Sequence, residues 1–155
     1  MLSKDTDQHI YDFYIISIAH ALRYLNDQKL EDYNITHRQA KLLGILYRNI
    51  KTKQENSNKK LQEMMNLKGP SITSLLNGLE KNGFIIRHPK HEDHRFIEYA
   101  LTPQSIALIE DMNIVFTKTE NRLLQSMSEE EKQIFLQLLR KAHQNLSAEN
   151  TNINK

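Results

Sequence analysis

At Asn82-Gly83 the apolar pattern of the chain changes period, and few folds accommodate what lies on either side. Before it, two short helical patterns are separated by Gly69-Pro70; after it come two β-prone runs, Phe84-Ile85-Ile86-Arg87 and Phe96-Ile97-Glu98-Tyr99-Ala100-Leu101. Periods of three to four residues indicate a helix that buries one face, whereas runs of β-branched and aromatic residues indicate strands. Ser57 is placed to cap the first short helix, which carries Leu61, Met64 and Met65. Pro70 suits a first helical turn, where its missing N–H costs nothing, and the second helix buries Ile72, Leu75, Leu76 and Leu79. Asn82-Gly83 supplies the left-handed ending. Between the strands, Pro89 to His94 form a polar loop, longer than a tight turn and expected to project as a flap.

Long helices flank this centre. From Asp7 to Glu31 a stripe recurs at Ile10, Phe13, Tyr14, Ser17 or Ile18, Ala21, Leu22 and Leu25. With no glycine or proline to interrupt it, this helix is longer than a small domain needs, which points to packing against a partner or another terminal helix. Thr36 with Gln39 has the spacing of a capping box and opens a helix whose stripe is Ala40, Leu43, Leu46, Tyr47 and Ile50. Thr102-Pro103 opens another, with Ile106, Ile109, Met112, Phe116 and Leu123 or Leu124 on the buried side. Ser128 with Glu131 starts the last, with Ile134, Leu138, Leu139, Ala142 and Leu146, and a frayed tail is expected from Ala148. The expected organisation is an N-terminal dimerisation helix over 1–34, a winged helix-turn-helix over 35–102, and C-terminal dimerisation helices with a tail over 103–155. The class is mainly α with a small β-hairpin.

Composition narrows function by exclusion. The chain has 155 residues and no cysteine, so disulfides and thiolate metal sites are absent. No apolar stretch approaches the roughly 20 residues that span a bilayer, and the polar start of the chain lacks the pattern of a secretory signal, so a cytoplasmic location is expected. No Gly-rich phosphate loop, nucleophile elbow or His-Glu-x-x-His pattern is present, and no enzyme or cofactor is expected. The formal net charge is only +2, but between Ser57 and Phe96 lysine and arginine outnumber the acids. Basic character is regional.

In a winged helix-turn-helix the second motif helix enters the major groove of DNA and the hairpin reaches an adjacent groove. Ser71, Thr73, Ser74 and Asn77 give that helix short donors and acceptors for base edges and phosphates. Ser57, Lys60 and Lys68 stand near the starts of the two motif helices, and Arg87, Lys90, His94 and Arg95 lie on the hairpin. An arginine such as Arg95 is favoured in a narrow minor groove by the negative potential there. These eleven residues form the candidate DNA-binding set.

Asp93-His94-Arg95, followed after five residues by Leu101-Thr102, resembles the wing signature of the MarR (multiple antibiotic resistance regulator) family. Leu79-Glu80-Lys81-Asn82-Gly83-Phe84-Ile85 is similar to that family's link from recognition helix to wing. Ser105 stands where many members have glycine, and Asn56 where an apolar residue is common. The resemblance implies a homodimeric transcriptional regulator, a repressor on a pseudo-palindromic operator, with Asp93 fixing the wing by pairing with Arg95 or a neighbouring cation. It also implies a small-molecule effector between the dimer helices and the winged module, for which Tyr14, Tyr24, Tyr47, Met64 and Met65 are the candidate liners. Two other readings fit the residues: a winged module that contacts protein, and a metal-responsive regulator using His88, His91, Asp93 and His94 of the wing.

Overall fold

The computed structural model describes residues 8–90 and 93–150, and for residues 90, 93–96 and 148–150 the backbone alone. The element order is α1 (Ile10–Asp32), α2 (His37–Lys51), α3 (Asn58–Met65), α4 (Gly69–Lys81), β1 (Ile85–Lys90), β2 (Asp93–Leu101), α5 (Pro103–Leu123) and α6 (Glu129–Asn150). The chain divides into two compact units, Met1–Thr117 and Lys118–Lys155. No helix among the described residues is long and apolar enough to cross a membrane.

Helix ends follow the capping chemistry of the sequence. Thr36 Oγ1 accepts from the Gln39 amide at 3.2 Å while Gln39 Oε1 accepts from the Thr36 amide at 3.1 Å, completing the capping box of α2. The 2.9 Å bond from the Phe84 amide to Leu79 O and the 3.0 Å bond from the Gly83 amide to Glu80 O close α4, with Gly83 at φ 76°. The same closure ends α1 at Asn34 and α3 at Asn66, both left-handed, asparagine being the residue after glycine that tolerates that region best. At the end of α2 it falls on Lys53, at φ 55°, where no such tolerance exists.

The core of the first unit gathers Leu42, Leu43, Leu46, Leu61, Ile72, Leu79, Phe84, Ile85 and Leu108, all nearly or fully buried. Helix α4 therefore rests on α2 and α3 with its apolar face down. At Gly78 an added Cβ would come 2.6 Å from Gln39 Nε2 on α2, the tip of a flexible side chain that would have to swing aside. Two polar side chains share this core. Asn49, buried, donates to Asn56 Oδ1 at 2.9 Å, and buried Ser105 donates to Phe84 O. Both positions that depart from the family pattern, Asn56 and Ser105, are thus accommodated by hydrogen bonds.

The structure corrects several expected boundaries and faces. The hairpin loop is shorter than the sequence suggests, because β1 continues through Pro89, paired with Ile97, to Lys90, paired with Asp93. Proline is tolerated because both strands of a two-stranded sheet are edges, and an irregularity after Pro89 absorbs the extra residues of β2. On α5 the inward side is Ser105, Leu108 and Met112, while Ile106 and Phe116 are exposed. Ile50 on α2 is exposed as well. Helix α6 runs to Asn150, beyond the expected onset of fraying, and 151–155 lie outside the described residues.

Helix α1 is apolar but little of it is covered. Among its described residues Leu30 is buried, whereas Tyr11, Phe13, Tyr14, Ile15, Ile16 and Tyr24 are exposed. Its C-terminal end is tied to α5 by Tyr33, whose hydroxyl donates to Asp111 Oδ2 at 2.6 Å, and by Lys29, 3.5 Å from the same oxygen. In the second unit, Glu131 donates its amide to Ser128 Oγ at 3.1 Å and accepts from the Ser128 amide at 2.7 Å. Its carboxylate and those of Glu129 and Glu130 lie in the first turn of α6, where the helix dipole favours negative charge. Ile134, Leu136, Leu138, Leu139 and Leu146 of α6 are exposed.

Candidate nucleic-acid interface

Ser57 Oγ accepts from the Lys60 amide at 3.2 Å, so this serine serves α3 as its N-cap while Lys60 remains exposed. Five residues after Leu61 the chain turns at Asn66 and enters α4 with Lys68 at the N-cap position. Among the described residues no side chain caps α4. A cation at the positive end of a helix opposes the dipole and weakens folding slightly; it also leaves that end attractive to an anion.

Ser71, Thr73, Ser74 and Asn77 all lie on the exposed side of α4, opposite buried Ile72, Leu76 and Leu79. The segregation expected from the sequence is present. Thr73 Oγ1 donates to Gly69 O at 3.1 Å, within the helix, and keeps its lone pairs outward.

Arg87, on β1, reaches back to α4. Its Nε donates to Glu80 Oε2 at 2.8 Å and its Nη2 to Glu80 Oε1 at 3.2 Å, a two-pronged pair, while Nη2 also donates to Asn77 Oδ1 at 2.7 Å. The guanidinium holds the Glu80 carboxyl below the usual carboxylate range, and the carboxylate raises Arg87 in turn. Two of the residues expected to touch DNA separately are therefore bonded to each other. Sequence reading missed the clamp because its members are ten residues apart and meet only through the turn at Gly83; a signal exists in the helical spacing of Asn77 and Glu80.

At the base of the wing, Thr102 Oγ1 donates to Gly83 O at 2.6 Å and accepts from the Ser105 amide at 3.4 Å. One hydroxyl thus caps α5 and ties it to the end of α4. Between the loop after α2, helix α4 and the wing strands lies a groove of about 740 Å³ whose lining includes Lys53, Ser57, Thr73, Arg87, Ile97 and Tyr99. Burial raises the Tyr99 hydroxyl above its ordinary range. The side chains of Lys90, Asp93, His94 and Arg95, and all of His91, lie outside the described residues, and with them the Asp93–Arg95 pair and most of the histidine cluster. His88 is exposed.

A second cavity, of about 310 Å³, lies between α1, α2 and the first half of α5. Leu30, Leu43, Tyr47, Leu108, Met112 and Phe116 give it apolar walls, with Asn26, His37, Lys41 and Asn113 as polar liners. Of the five residues expected around an effector, Tyr47 alone lines it. Tyr14 and Tyr24 are exposed on α1, Met65 is in the core, and the Met64 sulfur accepts from Asn49 Nδ2 at 3.6 Å.

A short helix, a turn, a helix with an outward polar face and an antiparallel hairpin docked on it define a winged helix-turn-helix protein. The MarR family model matches residues 35–97, from the start of α2 into β2. Three solved structures of MepR from Staphylococcus aureus are similar over nearly the whole length. The MepR–DNA complex is 28% identical, with 90% of this chain and 99% of that chain covered and a TM-score of 0.74. MepR described as a transcription regulator of the multidrug efflux pump MepA is 29% identical, with 88% and 98% covered and a TM-score of 0.69. MepR bound to ethidium bromide is 29% identical, with 88% and 96% covered and a TM-score of 0.63. Residues 35–97 thus match the MarR family, and the chain shares its fold with MepR.

Proposed function

We propose that this protein is a transcription regulator that binds duplex DNA as a homodimer, represses from a pseudo-palindromic operator and is released by a small molecule. The observation that carries DNA binding is α4: an outward row of Ser71, Thr73, Ser74 and Asn77 over a fully packed underside, with Lys68 at its N-terminus. Packing fixes the helix and leaves its polar row to contact DNA, as a major-groove helix requires. Lys60 and the wing residues Lys90, His94 and Arg95 supply phosphate and minor-groove contacts, Ser57 holds α3, and Asp93 sets the wing. The similarity to a MepR–DNA complex supports the same reading.

Dimerisation rests on the exposed aromatic and aliphatic side chains of α1 and α6, in regions 1–34 and 103–155, flanking the DNA-binding region 35–102. Apolar surface on this scale is rarely left to solvent. The effector site is the cavity lined by Tyr47, Met112 and Phe116, whose apolar walls suit an aromatic compound; MepR bound to ethidium is a parallel.

Titration of a fluorescent operator duplex at several salt concentrations tests the proposal. Log affinity should fall linearly with log salt, by about 0.9 per phosphate neutralised. A winged module that contacts only protein would give no palindrome-dependent duplex binding, and that result would reject this function.

A further inference from the structure

Gly44 stands at the middle of α2, where the fold itself has no use for a glycine. Inside a helix glycine is the least favourable residue after proline, because it gives up the most backbone freedom on folding. A positive φ or a close neighbour can require one there. Neither applies: Gly83 is the one glycine with a positive φ, and a Cβ built at Gly44 meets no atom within 4 Å. At Gly78, by contrast, the same addition meets Gln39 Nε2 at 2.6 Å.

The space in front of Gly44 is the cavity of about 310 Å³. Ala40, Lys41 and Tyr47 of α2 line it on either side of Gly44, so a side chain at this position would project into the cavity. Glycine instead leaves bare helix backbone as one wall, while Met112 and Phe116 of α5 contribute side chains to the others. Such a bare wall lets a ring lie in contact over its whole face, and a methyl group there would lift the ring away and forfeit those contacts. We infer that Gly44 is the specificity-determining residue of the effector site, keeping it open to a flat aromatic ring system that rests on the α2 backbone. This rests on the effector-site reading above and adds to it the shape that is selected and the residue that selects it.

Calorimetric titration of the full-length protein with 2-naphthol, a flat two-ring probe, and with decahydro-2-naphthol, its puckered counterpart on the same carbon skeleton, tests the inference. Wild type should bind the flat probe more tightly. Gly44→Ala should weaken 2-naphthol by about tenfold, the usual scale for one added carbon in an apolar site. Gly44→Leu, which fills more of the cavity with an equally good helix former, should abolish binding. Without ligand, Gly44→Ala should raise Tm by roughly 2–4 °C at fixed protein concentration and leave operator affinity unchanged. Stability gained and ligand lost in the same variant is the signature that a purely structural glycine would not give. Undiminished 2-naphthol binding in Gly44→Ala would overturn the inference. A lower Tm together with a weakened self-association in that variant would overturn it too, because the glycine would then serve close packing against a second copy. Equal binding of the two probes by wild type would remove the selection for flatness. Failure of wild type to bind either probe is a different result, because it rejects the cavity as an aromatic effector site whatever Gly44 does.

Discussion

Thr102→Val isolates the contribution of a single hydroxyl at the joint between recognition helix, wing and α5. Valine matches the shape of threonine, so the change removes hydrogen bonds without opening a cavity. Of its four contacts two dominate, the 3.4 Å bond from the Ser105 amide that caps α5 and the 2.6 Å bond to Gly83 O that ties α5 to the end of α4; the longer contacts with Phe84 O, at 3.3 Å, and Ser105 Oγ, at 3.4 Å, are secondary. Losing an N-cap costs about 1 kcal/mol. Losing the second bond costs about 1 kcal/mol more, with no added penalty for a stranded carbonyl, because Gly83 is exposed and water replaces the donor. The expected total is about 2 kcal/mol, or a fall in Tm of roughly 4–8 °C for a chain of this size. Thr102→Ser keeps the hydroxyl and should lose less than about 0.5 kcal/mol. Denaturant and thermal unfolding at one fixed protein concentration measure both, since any association shifts the apparent stability. Equal losses in the two variants, or a valine variant as stable as wild type, would refute the argument.

Three other perturbations probe separate parts of the chain. Lys53→Gly should stabilise by about 0.5 kcal/mol, seen as a higher Tm, because relief of a left-handed lysine at φ 55° outweighs the added freedom of glycine in the unfolded chain. The Tyr33 hydroxyl and the Lys29 ammonium hold Asp111 below the usual carboxylate range. A pKa depressed by folding contributes stability above the unfolded value and loses it as pH falls through the folded one. The Tm gap between wild type and Asp111→Asn should therefore be constant near neutrality and shrink below about pH 4; a gap unchanged in acid would count against it. Arg95→Ala, measured by operator titration, should weaken binding by about 1–3 kcal/mol without unfolding the protein, and unchanged affinity would exclude a wing contact.

Local chemistry made the helix boundaries legible. Both capping boxes, Thr36 with Gln39 and Ser128 with Glu131, and the Gly83 ending could be read directly because each depends on residues within a few positions of one another. Features set by the angle between elements could not. Pro89 and its polar neighbours looked like loop, yet an edge strand asks nothing of proline's missing N–H, and the ladder runs through it. On α5, spacing alone did not separate Ile106 from Ser105, because the rotation of the helix is set by Phe84 O, which accepts from Ser105. The polar row of α4 was visible in the sequence; its bonding to Arg87 was not, since that depends on where β1 leaves the turn.

The Asn49–Asn56 pair bears on how this sequence can drift. Asn56→Leu alone would restore the apolar residue common at that position, yet leave the buried Asn49 Nδ2 with little beyond the weak Met64 sulfur. An amide stripped of its partner costs about 1–3 kcal/mol, so the first step toward the commoner arrangement runs downhill in stability and only a second change, at Asn49, recovers it. The two positions are expected to be inherited as a unit. Lineages that keep one asparagine should keep both, and mutational cycles should find them coupled although they lie on opposite sides of the turn after α2.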